Sequence, residues 1–275
     1  MSTRYEIFLK KEEDNSEENL TELIRTTAIE GKLIEKLKIK IKKEGYEYQT
    51  EEEIFTLAYP DGNICNFALI HMNKEKNCNE ILYSYPYIKS GIDNLITIEK
   101  ISEDDIGIEG ILDAYFQDSV YLSLFDSQYF KNKTKYELHK SYKFNISAIA
   151  YSIEEVPESE TEIKITNPDT IEIYKACGLN TDGNEMIYSL KHVNMIFSSE
   201  KDNGDSEFQT YIEDIEILEF LGNQIYKIKC GLTKTEDEQL MTNLYISERV
   251  IKDNYIPKVG DIIRGFIWVQ GYLVE

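Results

Sequence analysis

Asp202, Asn203, Asp205, Ser206 and Glu207 place five oxygen-bearing side chains within six residues, the kind of supply that a hard cation such as Ca²⁺ draws on for its six to eight oxygen ligands. Their spacing is not that of an EF-hand loop, and in a chain this acidic a solvated loop is the ordinary outcome. Asp104 and Asp105, after Ser102 and Glu103, have the same standing. A pair of carboxylates for glycosyl transfer is set by folded distance rather than by sequence spacing. No metal and no cofactor are therefore expected.

Other chemistry has little to work with. The three histidines, His71, His139 and His192, stand apart in the sequence with no triad or multi-His signature around them, so a His-based nucleophile or metal centre is not expected. Cys65, Cys78, Cys177 and Cys230 form no CxxC pair and read as buried free thiols in a reducing compartment. The 14 glycines sit singly, as in Asp61-Gly62-Asn63 and Asp182-Gly183-Asn184, which is turn chemistry rather than a phosphate-binding loop.

Charge is the dominant property. The chain has 51 Asp and Glu against 30 Lys and Arg, a formal net charge of −21. Residues 1–100 hold 19 acids and 14 bases, whereas residues 101–275 hold 32 and 16. A field of that sign repels duplex nucleic acid and anionic membrane surfaces and favours basic partners. The leading expectation is a non-catalytic, acidic protein-binding module or inhibitor, of the immunity or anti-defence type. It would engage a basic protein, such as a nucleic-acid-handling enzyme, by presenting carboxylates much as a nucleic acid presents phosphates. The residues expected to carry this contact are Glu154, Glu155, Glu158, Glu160, Glu162, Asp202, Asp205, Glu207, Glu236, Asp237 and Glu238. For any one of them taken singly, a solubilising role is the simpler reading.

Two alternatives belong to different classes. One is an OB-like binding protein for single-stranded nucleic acid, nucleotide or sugar, which needs a local basic or neutral groove. Lys131, Lys133, Lys135, Lys140 and Lys143 are its C-terminal source, and Lys32 to Lys43 is the other lysine-dense stretch. The second is an enzyme whose acids gather in one cleft, marked by strongly shifted pKa values there. Aromatics offer a further surface: Tyr83, Tyr85 and Tyr87 alternate onto one face of a strand pattern, and Trp268 is either a core anchor or an exposed contact.

The elements that position these residues follow from periodicity. Leu20, Leu23, Ile24, Ile29, Leu33, Ile34, Leu37 and Ile41 recur at helical spacing behind a capping-box pattern at Asn15 and Glu18. Gly31 divides this pattern, and Leu37 to Ile41 also reads as an alternating edge strand. Ile54 to Tyr59, Ile64 to Met72 and Ile81 to Tyr87 form an antiparallel meander around the turn Pro60-Asp61-Gly62. Short apolar runs follow to the C-terminus, among them Tyr142 to Ile153, Thr170 to Tyr174 and Asp261 to Leu273.

The expected fold class is α+β: N-terminal helices with a small antiparallel meander, then a mostly β region readable as two OB-like barrels. The expected units are an α+β unit at 1–94, a β-rich unit at 95–165 and a β-rich repeat at 166–275. The repeat rests on an echo between Ile108–Tyr151 and Ile212–Tyr272, in which Val120–Phe125 corresponds to Ile225–Gly231, and Tyr142–Tyr151 to Ile262–Tyr272. No apolar signal core or membrane-length run is evident, so the cytoplasm is the expected location and no membrane contact is expected.

Overall fold

The computed structural model describes residues 3–9, 16–42, 49–73, 78–176, 185–191, 193–198, 204–235 and 238–274. The chain is mostly β. It opens with a 3-10 turn at Thr3–Phe8 and helix α1 at Ser16–Glu30. Four strands follow, β1 (Lys32–Lys42), β2 (Gln49–Tyr59), β3 (Ile64–Asn73) and β4 (Cys78–Ile88), paired antiparallel in the order β1-β2-β3-β4.

The expected N-terminal helices are thus one helix among the described residues, and the lysine-rich second part of the helical pattern is strand β1. Gly31 is the point of change. A side chain there would meet the Thr27 carbonyl oxygen at 2.2 Å, so only Gly lets the chain turn from helix into strand at that place. Beyond it, Leu37, Lys38, Ile39, Lys40 and Ile41 alternate, and Ile39 and Ile41 are buried. Period two, not helical spacing, is satisfied by the core.

The remaining strands are β5 (Ile92–Glu103), β6 (Gly110–Phe116), β7 (Val120–Asp126), β8 (Ser141–Glu155), β9 (Glu162–Ile165), β10 (Met186–Ser189), β11 (Met195–Ser198), β12 (Asp205–Tyr211), β13 (Asp214–Phe220), β14 (Asn223–Lys234), β15 (Gln239–Ser247) and β16 (Ile262–Leu273). Helices α2 (Tyr129–Asn132) and α3 (Pro168–Ala176) interrupt them. The run Thr170 to Tyr174, expected as strand, lies in α3. Asn167 accounts for this: its side-chain oxygen accepts the N–H groups of Asp169 at 2.9 Å and Thr170 at 3.2 Å, an N-cap with Pro168 in the first helical position.

Five strands close a barrel in the order β5-β6-β7-β16-β8, because β16 runs parallel to β7 and antiparallel to β8, and β8 returns antiparallel to β5. The long strands β8 and β16 each serve twice. The far half of β16 pairs antiparallel with β12, and β8 pairs in parallel with β15, which leads on to β14 and β13. Each of the two long strands therefore has one antiparallel and one parallel partner besides the other. The pattern is preserved when β5, β7, β8 and β16 are exchanged for β12, β15, β16 and β8.

Alternation along the shared strands divides the core into two layers. Leu122, Leu124, Ala148, Ala150, Ile267 and Val269 face the barrel interior, while Phe125, Ile149, Tyr245 and Trp268 face outward into a second cluster with Phe67, Tyr85 and Tyr87 of the N-terminal sheet. The N-terminal sheet thus covers one outer face of the barrel. Polar stitches fix the seam: Tyr85 donates to the Ser127 carbonyl at 2.7 Å, and buried Gln270 accepts from the Ile88 N–H at 3.2 Å and donates to the Pro86 carbonyl at 3.3 Å. Among the described residues no helix is long and apolar enough to cross a membrane.

Candidate functional site

Two lysine-bearing segments, about ninety residues apart in sequence, meet at the edge of this seam. In β1, Lys38 and Lys40 lie on the face opposite to Ile39 and Ile41, and both are exposed. After β7 the chain makes the single turn α2, anchored by buried Tyr129 and Phe130, so that Lys131 and Lys133 project toward β1. Together with Leu37, Ile39, Glu51, Glu103, Phe130 and Thr134 they line a cleft of about 610 Å³. That volume lies within the range of ligand pockets, about 300–1,000 Å³.

Four ammonium groups face two carboxylates in the cleft, a local reversal of sign in a chain of net charge −21. Lys131 pairs with Glu35 at 3.2 Å and Lys38 with Glu51 at 3.8 Å. Lys133 donates to the carbonyls of Gly107 at 2.6 Å and Lys40 at 3.4 Å. Among the described residues Lys40 makes no ion pair. Lys38 and Lys131, held on half-exposed carboxylates, make surface pairs for which an anion can compete.

Glu103 also lines a smaller pocket of about 200 Å³ beside the cleft, with Arg4, Ser102, Asp104, Glu109, Ile111 and Phe125. Asp104 is fully engaged: Oδ1 accepts from the N–H groups of Ile108 at 2.6 Å and Glu109 at 2.8 Å, Oδ2 from Ile106 at 3.3 Å, and the Tyr83 hydroxyl donates to it as well. Tyr129 donates to Glu103 at 2.5 Å. Burial pushes the Glu109 carboxyl up to about 7, opposed by Arg4 and assisted by Asp104. The Arg4 guanidinium lies 4.8 Å from the Trp268 ring centre and 5.9 Å from that of Phe125. These contacts tie the N-terminal turn to the barrel and gather three carboxyl groups, Glu103, Asp104 and Glu109, at one pocket.

The acidic residues singled out in the sequence are differently placed. Glu154 accepts from Arg264 at 2.7 Å and pairs with Lys252 at 2.8 Å, and Glu160 pairs with the same arginine at 2.6 Å. The two bases hold the Glu154 carboxyl below its ordinary value. Glu158 lies 3.6 Å from Lys191, Glu238 accepts from Gln117 at 2.7 Å, and Asp205 accepts from the Tyr151 hydroxyl. Glu155, Glu162 and Glu207 are exposed and make no ion pair among the described residues. Asp202, Glu236 and Asp237 lie outside the described residues, as do His192 and Cys177.

Strand register adds one surface that alternation alone did not reveal. Phe197 on β11 stands opposite Glu207 on β12, which stands opposite Phe266 on β16. The two rings are 62% and 53% exposed, so a carboxylate is flanked by two accessible aromatics. Trp268, two residues along, is fully buried.

The remaining candidates have structural roles. His71 contacts Glu52 at 3.1 Å and His139 contacts Glu99 at 3.0 Å. Cys65 and Cys230 are buried free thiols, pushed up to about 11 and about 12 by desolvation, which leaves them in the unreactive thiol form, whereas Cys78, expected to be buried, is a free thiol exposed at the start of β4. Among the described residues no group of three or more His, Cys, Asp or Glu is placed to hold a metal ion. No protein-family model, no curated protein and no solved structure matches this chain.

Proposed function

We propose that this chain is a non-catalytic binding module whose ligand site is the lysine-lined cleft between β1 and the segment after β7, and whose ligand is anionic. One observation carries the reading: Lys38, Lys40, Lys131 and Lys133 converge on a single cleft of about 610 Å³ although the whole chain is strongly acidic. In a chain whose overall field repels anions, a local cluster of ammonium groups is the place where an anion meets attraction instead. The closed barrel, with its first three strands in a meander and its last two crossing over, is the OB-like architecture. Its outer face is covered by the chain's own N-terminal sheet, which moves the accessible site to the seam. Lysines 135, 140 and 143 do not line the cleft, and Lys143 pairs with Asp93 at 2.8 Å.

The test uses inorganic polyphosphate as a generic polyanion, titrated by calorimetry at two salt concentrations. The double variant Lys38→Glu, Lys131→Glu is expected to weaken binding by about tenfold or more, since each half-exposed charge contributes up to about 1 kcal/mol and reversal doubles its effect. Affinity should also fall with salt. Binding that is equal in wild type and variant would remove the cleft from consideration.

A second reading retains the acidic contact with a basic protein, of inhibitor, immunity or anti-defence type, and the Phe197–Glu207–Phe266 row favours it. Aromatic anchors beside an unpaired carboxylate suit a cationic surface. The Glu154–Glu160 cluster contributes less, because Arg264, Lys252 and Lys191 already neutralise much of it. On this reading the variant Glu207→Lys, Phe266→Ser loses a salt-releasable basic protein in an affinity capture that the wild type retains. Identical capture by both proteins would count against it.

A further inference from the structure

We infer that the cleft takes an extended polypeptide segment, in which acidic and apolar residues alternate, as an added strand on the open edge of β1. This rests on the reading that the cleft is the binding site, and it names the ligand's class.

β1 is the outermost strand of its sheet, pairing among the described residues with β2 alone. The direction of its backbone groups can be read from two contacts. The Glu35 carbonyl faces β2, where it accepts from the Thr56 hydroxyl at 3.2 Å, whereas the Lys40 carbonyl faces the cleft and accepts from Lys133 at 3.4 Å. Alternation along a strand then assigns the outward N–H and C=O groups to Lys36, Lys38 and Lys40. Among the described residues this edge pairs with no other strand, and its Lys40 carbonyl accepts from the Lys133 ammonium, so it is a template for strand addition. The Lys133 ammonium stands where the first N–H of an added strand would stand.

The two faces of that edge differ in chemistry. Lys38 and Lys40 line the cleft from one face, and Leu37, Ile39 and Phe130 line it from the other. In an added strand, each residue shares the face of the β1 residue opposite to it. Residues opposite the lysines are therefore acidic, and those beside Leu37 and Ile39 are apolar. A nucleic acid strand fits less well. Its bases need exposed rings to stack on, and the aromatic in the cleft, Phe130, is 6% exposed with its ring against Phe67.

Lysines on an edge strand also serve to block unwanted pairing, and the experiment separates that role from binding. The probes are a labelled eight-residue peptide alternating Glu and Val, a peptide of the same composition with its acids in one block, and inorganic polyphosphate. Each is titrated against wild type, Lys38→Gln and Lys38→Pro. Both substitutions remove the charge, but Pro also removes an outward N–H while sparing the β1–β2 ladder, a position at which edge strands tolerate it. The alternating peptide is expected to bind, with a further loss of roughly tenfold in Lys38→Pro relative to Lys38→Gln. Polyphosphate is expected to bind both variants alike. Hydrogen exchange in the wild type supplies a readout free of any folding defect: the amides of Lys36, Lys38 and Lys40 should become protected when the alternating peptide is added.

Equal binding of the blocked peptide, equal loss in the two variants, or unchanged exchange at these amides would overturn strand addition. Binding of polyphosphate alone would overturn it too, while leaving the anionic cleft standing. If neither peptide nor polyphosphate binds, both readings fall.

Discussion

Replacing Trp268 by Ala is expected to cost about 3–5 kcal/mol of unfolding free energy, the range for deleting a large aromatic from a packed interior. For a domain with 5–15 kcal/mol in total that is a large fraction, and it corresponds to a fall in Tm of roughly 6–20 °C. The physical reason is position. Trp268 is fully buried on the outward face of β16, with its ring centre 5.0 Å from that of Phe125 and the Arg4 guanidinium on it. It fills the layer where the N-terminal sheet meets the barrel, so its removal empties the seam rather than the barrel interior. Hydrogen exchange should therefore accelerate first in β4, whose Tyr85 and Tyr87 pack into that layer. Phe266, two residues earlier and 53% exposed, is the matched control, since its replacement by Ala should change stability by no more than about 0.5 kcal/mol. Urea denaturation of the two variants checks this. A loss below 1 kcal/mol for Trp268→Ala would show that the two layers do not depend on each other.

The aromatic strand pattern explains why the fold was partly legible. Tyr83, Tyr85 and Tyr87 lie on one face of a strand as their alternation implies, and periodicity gives β3, β4, β8 and β16 to within three residues of their observed bounds but only the C-terminal part of β2, from Ile54 onward. What that face is for depends on long-range packing. It covers the barrel of the same chain, so a feature readable as an external contact is internal. The helix at Pro168–Ala176 shows the opposite limit. Ile171-Glu172-Ile173 alternates like a strand, and the Asn167-Pro168 cap overrides it. The echo between Ile108–Tyr151 and Ile212–Tyr272 matched β8 with β16, which do exchange roles in the sheet. It matched β7 with β14, whereas the pairing pattern equates β7 with β15, because similar apolar runs carry no information about which neighbour they pair with.

The site was legible only in fragments. Lys32 to Lys43 and Lys131 to Lys143 were each visible as basic stretches, but their meeting depends on the docking of the N-terminal sheet against the barrel, for which sequence spacing holds no signal. The acidic stretch Glu154 to Glu162 looked like a continuous negative patch because Arg264 and Lys252, which pair with Glu154, lie about a hundred residues away. Glu207, which makes no ion pair among the described residues, is one of the residues expected from the sequence, but its flanking by Phe197 and Phe266 is a property of register.

Asp126 gives the chain an unusual dependence on pH. It ends β7 fully buried, with Oδ1 accepting the Gln128 N–H at 2.9 Å and Oδ2 accepting the Tyr136 hydroxyl. Desolvation outweighs both bonds and pushes the carboxyl up to about 7 from an ordinary 3.8. Because the folded state holds this proton more tightly than the unfolded chain, the contribution is fully present below about pH 4 and is lost as pH rises through 7. The difference amounts to as much as about 4 kcal/mol. Asp93 and Glu154, held below their ordinary values by Lys143 and by Lys252 with Arg264, act in the opposite sense and weaken the fold only as pH falls through their lowered folded pKa values. Mutual repulsion in a chain of charge −21 also reduces stability as pH rises, so the slope of the wild type alone is not diagnostic. The diagnostic quantity is the difference from Asp126→Asn, in which the amide oxygen still accepts from Gln128 and the amide N–H donates to the Tyr136 oxygen. That variant is expected to come closest to the wild type near pH 4 and to exceed its stability increasingly toward pH 8, measured as urea midpoints across the interval. A variant less stable than wild type at pH 8 would mean that Asp126 is ionised and stabilising in the fold, and that the polar pair beneath β7 works as an ordinary charge-assisted hydrogen bond.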